Sequence, residues 1–344
     1  MFFINKITTC SFIFIFTISL IACNKKAPAA DQNNVNSNDS LTLSEGDTSI
    51  LINYSSPDAD EKILIKFQPE IGKTYYVTNN STYTSFQSRD TMKSTAVSKK
   101  YSKMKLSVLG IEKDQYKIEF TIVDARKSIK GDSISIDYTY GKALADPAAD
   151  IDRKIEDCMV NTPLTIFMNS SGVGTDILGY EKIIEKVRAI IKAEAPADFK
   201  EIPDQYIASQ IGAPTDNLEN FFIAYPDTAV KIGDTWHITN NTVLQGVPII
   251  LTNNYTLADR KDGILYIDFN TDIIIDKKQI PENILSQMGN MKFTAYVKGT
   301  GEIEEKTGWP LIMKISQGME LSDSFDGHTE SSKQTNTGII RTTQ

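Results

Sequence analysis

The side chains that could carry chemistry in this chain are few, and their spacing does not gather them. There are two histidines and three cysteines in 344 residues. His237 is the candidate for acid–base work or metal ligation, because a free imidazole titrates near neutrality. It stands between Trp236 and Ile238, so strand alternation sends it to the face opposite both, beside Thr235 and Thr239. With Trp236 and Ile238 on the core, His237 meets solvent. His328 lies in a polar stretch with no motif around it. Cys158 shares a helical stripe with Ile151, Ile155 and Met159, the placement of a packing thiol rather than a nucleophile. The carboxylate pairs Glu156/Asp157 and Glu304/Glu305 are neighbours in sequence, whereas glycosidic chemistry needs two carboxyls about 5–10 Å apart in one cleft. Gly172-Val173-Gly174 imitates a phosphate cradle but no lysine follows it, so it reads as a turn. No His-Glu-x-x-His helix, serine elbow or dinucleotide fingerprint is present. The expectation is no catalytic residue, no metal site and no cofactor, hence no enzyme.

What remains for ligand contact is aromatic and aliphatic. Trp236 and Trp309 could offer rings to a sugar, although a strand tryptophan usually anchors core. Tyr180 and Ile184 begin an apolar stripe through Ile183, Val187, Ile190 and Ile191, which could roof a cavity for an apolar ligand or simply pack on a sheet.

The first residues are an address. Lys6 supplies a positive start, Ile7 to Ile21 form an apolar run, and Leu20-Ile21-Ala22-Cys23 resembles a bacterial lipobox. Residues 1–22 then read as a lipoprotein signal peptide and Cys23 as the lipidated residue. Each buried methylene contributes about 0.8 kcal/mol, so two or three acyl chains (palmitate or similar) anchor the chain firmly to a bilayer. Asn24 follows the cysteine where an inner-membrane retention signal would place Asp, which points to the outer membrane. Asn24-Lys25-Lys26 is basic, which tilts the expectation to its periplasmic face. Residues 23–60, rich in Asn, Ser, Asp, Ala and Thr, form the lipidated cysteine and a flexible tether. With residues 1–22 and their Cys10 removed and Cys23 acylated, Cys158 is the only other cysteine and no internal disulfide can form. The formal charge of −8 excludes nucleic acid as a partner.

The folded part, 61–344, is expected to be mainly β: an antiparallel curved sheet or open barrel, duplicated, with two or three helices mid-chain. Alternation marks strands at Ile63–Phe67, Thr74–Thr78, Met104–Val108, Tyr116–Phe120 and Ser133–Tyr138, with a turn at Lys113-Asp114. Asp146-Pro147 reads as a helix N-cap with proline at the first turn, Leu164–Met168 as a strand turned by Ser170-Ser171-Gly172, and Ile177–Ala195 as an amphipathic helix. A third helix is expected from Pro203 to before Gly212. Further strands are expected at Val247–Leu251, Tyr255–Ala258, Leu265–Ile275, Phe293–Lys298, Glu302–Glu305 and Leu311–Ile315, with a turn at Lys306-Thr307-Gly308. From Asp323 the chain turns polar and is expected to fray, Gly338–Arg341 adding at most an edge strand. One segment repeats: Ile71 to Thr82 aligns with Ile232 to Val243 at six identical positions of twelve. This suggests two related halves, about 61–140 and 220–325, around a helical block at about 146–212.

The order of signal peptide, lipobox, tether, β-rich half, helices and then Gly233-Asp234-Thr235-Trp236 resembles an uncharacterised lipoprotein family common in Bacteroidota. The late Gly299-Thr300-Gly301 and Lys306-Thr307-Gly308 add to that resemblance, which spans about 61–325. It implies a β-rich fold and carries no established activity. The expected function is a non-catalytic binding or structural module tethered to the outer membrane. Its partners would be the bilayer, through acylated Cys23, and an envelope protein, glycan or lipid ligand. A carrier of an apolar ligand held between sheet and helices is the second reading, and a hydrolase acting on envelope or glycan material the third.

Overall fold

A computed structural model describes residues 60–132, 135–194, 221–244, 247–280, 292–325 and 328–343. Cys23, the signal peptide, nearly all of the tether and the helix expected after Pro203 lie outside the described residues. Twelve strands form one open antiparallel sheet. They are β1 (Thr74–Arg89), β2 (Met92–Glu112), β3 (Gln115–Gly131), β4 (Ser135–Thr139), β5 (Leu164–Met168), β6 (Gly174–Leu178), β7 (Thr235–Leu244), β8 (Val247–Lys261), β9 (Ile264–Ile275), β10 (Lys292–Glu304), β11 (Trp309–Phe325) and β12 (His328–Thr343). Among the described residues two α-helices, α1 (Pro147–Asp157) and α2 (Tyr180–Glu194), interrupt the first half.

The strand order is β6-β5-β3-β2-β1-β12-β11-β10-β9-β8-β7, with β4 also pairing on β3. The chain therefore starts at the centre of the sheet, works outward to one edge, crosses to the other edge and meanders back. Its last strand closes against its first along the β1/β12 seam. The polar C-terminal stretch expected to fray is thus a central strand, hydrogen-bonded to β1 on one side and β11 on the other. Ser, Thr, Asn and Gln hide it from an alternation test, yet Gln334 and Ile340 are buried.

The two repeated segments adopt the same local structure. Gly72 and Gly233 both sit at positive φ (84° and 88°). Gly72 N–H donates to Val108 O, and Gly233 N–H to Leu257 O, each at 2.8 Å. Val108 N–H donates back to Lys73 O and Leu257 N–H to Asp234 O. An irregularity in register then follows Val108 in β2 and Leu257 in β8. Each motif so opens a three-stranded meander, β1–β3 or β7–β9.

The core occupies one face, here the inner face. Phe67, Tyr75, Leu106, Phe120, Tyr255, Ile267 and Trp309 belong to a single buried cluster. Ile63–Phe67 is not a ladder strand but an extended plug between the two arms. Ile65 and Phe67 point inward and Leu64 outward, as alternation requires. Its backbone bonds go singly to different partners: Ile63 exchanges both with Val230, Phe67 N–H donates to Ser170 O, and Gln68 N–H to Thr307 O. Residues 221–225 form the second buried strip, with Tyr225 N–H donating to Ser171 O.

Several boundaries moved for identifiable reasons. Ile177 belongs to β6 rather than to the helix; Gly179, at φ 104°, separates the two. The strands expected on either side of Gly299-Thr300-Gly301 are one, β10. Those glycines answer close packing: a Cβ on Gly299 would lie 2.5 Å from the Phe269 ring. The expected β8 pair is likewise one strand, and the expected Lys113-Asp114 turn is present with both residues at positive φ.

α1 begins with Pro147, as its sequence indicates, and Asp146 O accepts from Asp150 N–H. Its buried Arg153 donates through Nε to Asp150 (2.7 Å) and through Nη1 to Asp157, whose other oxygen accepts from Tyr138 OH at 2.5 Å. The hydrogen bond from Arg153, and then that from Leu144 N–H, hold the Asp150 carboxyl at about 2 against an ordinary 3.8. A folded-state value below the unfolded one stabilises above about pH 4 and loses that contribution as pH falls toward 2. Chemical denaturation of the wild type is therefore expected to show a stability loss between about pH 4 and 2 that is clearly smaller in Arg153→Met. Equal slopes would show that this network does not govern acid stability.

Candidate functional site

One hollow crosses the middle of the sheet. A trough of about 1160 Å³ is lined by eight successive strands, from β4 through β3, β2, β1, β12, β11 and β10 to β9. β4 to β2, both seam strands, β10 and β11 each contribute a consecutive triplet, such as Asn80–Thr82, Arg126–Ser128, Lys298–Thr300 and Thr337–Ile339. In a strand the outer two residues of a triplet share one face and the middle one points to the other; the middle residues Tyr138, Lys127, Lys100, Ser81, Gly338, Ile315 and Gly299 form one register row that ends on Phe269, on the face of the buried core. The trough is thus about 7 Å deep along the strands and crosses seven interstrand steps of about 4.8 Å. A sheet can line one hollow with eight strands only where it curves toward that hollow.

Register assembles the lining. One row runs Arg126, Tyr101, Asn80, Ile339, Lys314, Thr300, each directly opposite the next, and ends on Asp268. The row beside it begins at Asp137 and runs through Ser128, Lys99, Thr82, Thr337 and Ser316 to Lys298. Charge is ordered along both rows. Asn80, Thr82, Thr337 and Ile339 make a neutral floor on the seam. Arg126 and Lys99 stand on one flank, Lys314 and Lys298 on the other. Asp137 and Asp268 close the two ends, and partial burial raises the Asp268 carboxyl above the ordinary carboxylate range. The Arg126 guanidinium lies 5.4 Å from the centre of the Tyr101 ring and reaches Asp124 at 3.0 Å. The lining holds six cationic residues, Lys99, Lys100, Arg126, Lys127, Lys298 and Lys314, against Asp137 and Asp268, in a chain of net charge −8.

The residues singled out from sequence lie elsewhere. Trp309 is fully buried, its ring stacked 3.7 Å from Tyr75, so it is core and not a binding platform. Trp236 is half-buried, stacks on Tyr255 at 5.5 Å and donates its Nε1–H to Ala224 O. Ile184 and Tyr180 pack against the core from α2, whose Ile183, Val187 and Ile191 are buried in it. The helix therefore roofs packed side chains. His237 faces solvent on the outer face, opposite Asn254. Cys158 is buried, donates its thiol to Lys154 O, and burial raises its pKa. His328 opens β12 opposite Phe325.

The carboxylate neighbours are engaged locally. Glu156 accepts from Lys127, Asp157 from Arg153, and Glu304 from Thr307. Glu305 accepts two bonds from Arg260, whose third reaches Glu61. Among the described residues no cluster of His, Cys, Asp and Glu could hold a metal, and no helix is long and apolar enough to cross a membrane.

The fold and trough define a class: an open, curved antiparallel sheet with its core on one face and a hollow lined by eight of its strands. Residues 113–310 match the model of a family of unknown function, DUF6263, and the chain belongs to that family. No curated protein matches the chain. Among solved structures, lipovitellin, described for its lipid–protein interactions, aligns at 13% identity and a TM-score of 0.45. That alignment covers 78% of this chain and 25% of lipovitellin's, so this chain spans a quarter of that protein's length. OpdQ of Pseudomonas aeruginosa aligns at 6% identity and TM-score 0.20, over 79% of this chain and 99% of its own. Scores of that size do not establish a shared fold.

Proposed function

We propose that the chain is a non-catalytic binding module of a bacterial envelope, held on the outer membrane by acylated Cys23 and presenting the trough to its ligand. The trough supports this reading because eight successive strands line one hollow. A volume of about 1160 Å³ exceeds the usual range of small-molecule pockets, about 300–1,000 Å³, and fits an oligomeric ligand. The lipobox at Leu20–Cys23 supports the anchor, and the long polar stretch after it would set the sheet off the bilayer.

Hydrogen exchange of the full chain, with and without solubilised envelope material, tests the reading. Protection is expected at 80–82, 126–128, 298–300 and 337–339. Protection confined to the edge strands β6 and β7 would overturn it.

A further inference from the structure

We infer that the free edge of β7 pairs with β7 of a second copy, joining two sheets into one across a two-fold axis at Asn240. β7 is the last strand of the sheet and, among the described residues, pairs only with β8. Leu257 N–H donates to Asp234 O, which sets the phase of the ladder: residues 236, 238, 240 and 242 turn their main-chain groups to β8. Thr235, His237, Thr239, Asn241 and Val243 therefore aim their N–H and C=O outward, an open row of donors and acceptors. None of the trough's lining comes from β7, so this inference stands independently of the trough as a binding site.

The internal repeat shows how such a row is used. Ile71 to Thr82 aligns with Ile232 to Val243, so His237, Thr239 and Asn241 stand where Tyr76, Thr78 and Asn80 stand in β1. In β1 those three positions face the antiparallel β12, with Tyr76 opposite Thr343, Thr78 opposite Arg341 and Asn80 opposite Ile339. Among the described residues the equivalent side of β7 has no strand. Nor is it guarded. Edge strands are ordinarily kept from pairing by charge, proline, bulges or shortness. At the opposite side of the sheet β4 and β6 follow that rule, at five residues each and with Asp137 and Asp176. β7 spans ten residues, has no Asp, Glu, Lys, Arg or Pro, and keeps an unbroken register against β8.

Asn240 selects the occupant. Its Nδ2 is buried without a hydrogen-bond partner, and a buried amide donor calls for an acceptor. When β7 pairs antiparallel with itself and both cores stay on one face, the two-fold axis must pass through a single residue. With the axis at Asn240, the two Asn240 side chains meet in a close pair, Cβ atoms about 4.5–5.5 Å apart. A carboxamide both donates and accepts, so each Nδ2 reaches the other's Oδ1. Thr239 of one copy then opposes Asn241 of the other, and about eight main-chain bonds form along the new seam. With no Asp, Glu, Lys or Arg in β7, the symmetric pairing brings no like charges together. An unrelated extended peptide would offer the same backbone groups but no fixed acceptor at Asn240.

Sedimentation equilibrium of the full chain in detergent is expected to show a dimer at micromolar concentrations. Thr239→Pro removes an outward N–H that β8 does not use, so it should weaken the dimer at least about tenfold with the unfolding midpoint nearly unchanged. Asn240→Cys should give a disulfide-linked dimer under mild oxidation, above the wild-type background, because facing Cα atoms in such a pair lie about 4.5 Å apart. Ile238→Cys should not, since its counterpart is displaced by four residues, roughly 13 Å along the strands. A chain that stays monomeric overturns the inference. So does a dimer that Thr239→Pro leaves intact, the result expected if acyl anchors alone associate in the micelle. Cross-linking through Ile238→Cys but not Asn240→Cys overturns the axis at Asn240. Should Thr239→Pro fail to fold, the two cysteine variants decide alone.

Discussion

Replacing Trp309 by alanine is expected to lower the unfolding free energy by about 3–5 kcal/mol, a large part of the 5–15 kcal/mol that holds a typical protein folded. Trp309 opens β11 at the foot of the seam, where three separate pieces of chain meet. Its ring stacks on Tyr75 of β1 at 3.7 Å and 10°. It also touches Phe67 of the plug and Phe221 and Phe222 of the second buried strip, with centroids 5.7–6.1 Å away. Its Nε1–H donates to Thr342 Oγ1 on β12, and that hydroxyl donates on to Pro310 O. Alanine would leave a cavity that plug, seam and strip cannot all close, since each is held by its own backbone bonds. Trp309→Phe keeps a ring against Tyr75 and loses the indole donor, so a smaller loss of about 1–2 kcal/mol is expected. Urea denaturation followed by circular dichroism checks both. A loss below about 1 kcal/mol for the alanine variant would mean that the plug docks without this ring.

The parts of the fold legible in sequence are those where local chemistry and tertiary demand coincide. Pro147 starts a helix because its missing N–H is not needed there. Lys113 and Asp114 turn the chain where two clearly alternating strands meet. The unread parts are strands whose two faces are both polar. The outer halves of β1 and β2, and all of β12 but its end, carry Ser, Thr, Asn, Gln and Lys inward as well as outward. Ser85, Ser98, Gln317 and Gln334 are buried all the same. Period-two reading detects contrast between faces, and here the contrast is absent. The plug failed differently. Ile63–Phe67 has the alternation of a strand because it is extended and half-buried, but hydrophobicity does not report which backbone partners it finds. The trough was beyond sequence reading for a third reason. Arg126, Lys99, Lys314 and Lys298 are far apart in the chain and are brought into register through five strand pairings. The nearest local sign was Lys99-x-Tyr101-x-Lys103-x-Lys105, which puts three cations and an aromatic on one face of β2.

Gly308→Ala should destabilise the protein by about 3–5 kcal/mol, whereas Gly263→Ala, at nearly the same backbone angle, should cost only about 1–2 kcal/mol. Both glycines close hairpins at positive φ, 65° for Gly308 and 75° for Gly263. Alanine at either position incurs the left-handed penalty, which is the whole cost at Gly263, where a Cβ would meet nothing within 4 Å. At Gly308 the same Cβ would lie 2.3 Å from Lys66 O and 3.1 Å from Phe67 Cα, both main-chain atoms of the plug. A flexible side chain could turn aside, but this backbone cannot move alone. Gln68 N–H is bonded to Thr307 O and Phe67 N–H to Ser170 O, each at 2.8 Å, while Phe67 is packed under Trp309. Gly308 O also accepts from the buried Tyr225 hydroxyl at 2.6 Å, so displacing the turn strains the second strip as well. The difference between the two variants therefore isolates the close approach of plug and hairpin from the conformational freedom of glycine. Hydrogen exchange should place it: in Gly308→Ala the Phe67 and Gln68 amides lose protection before the β10–β11 ladder does, and in Gly263→Ala they keep it. Equal costs, or protection lost uniformly, would show that the plug follows the hairpin without resistance.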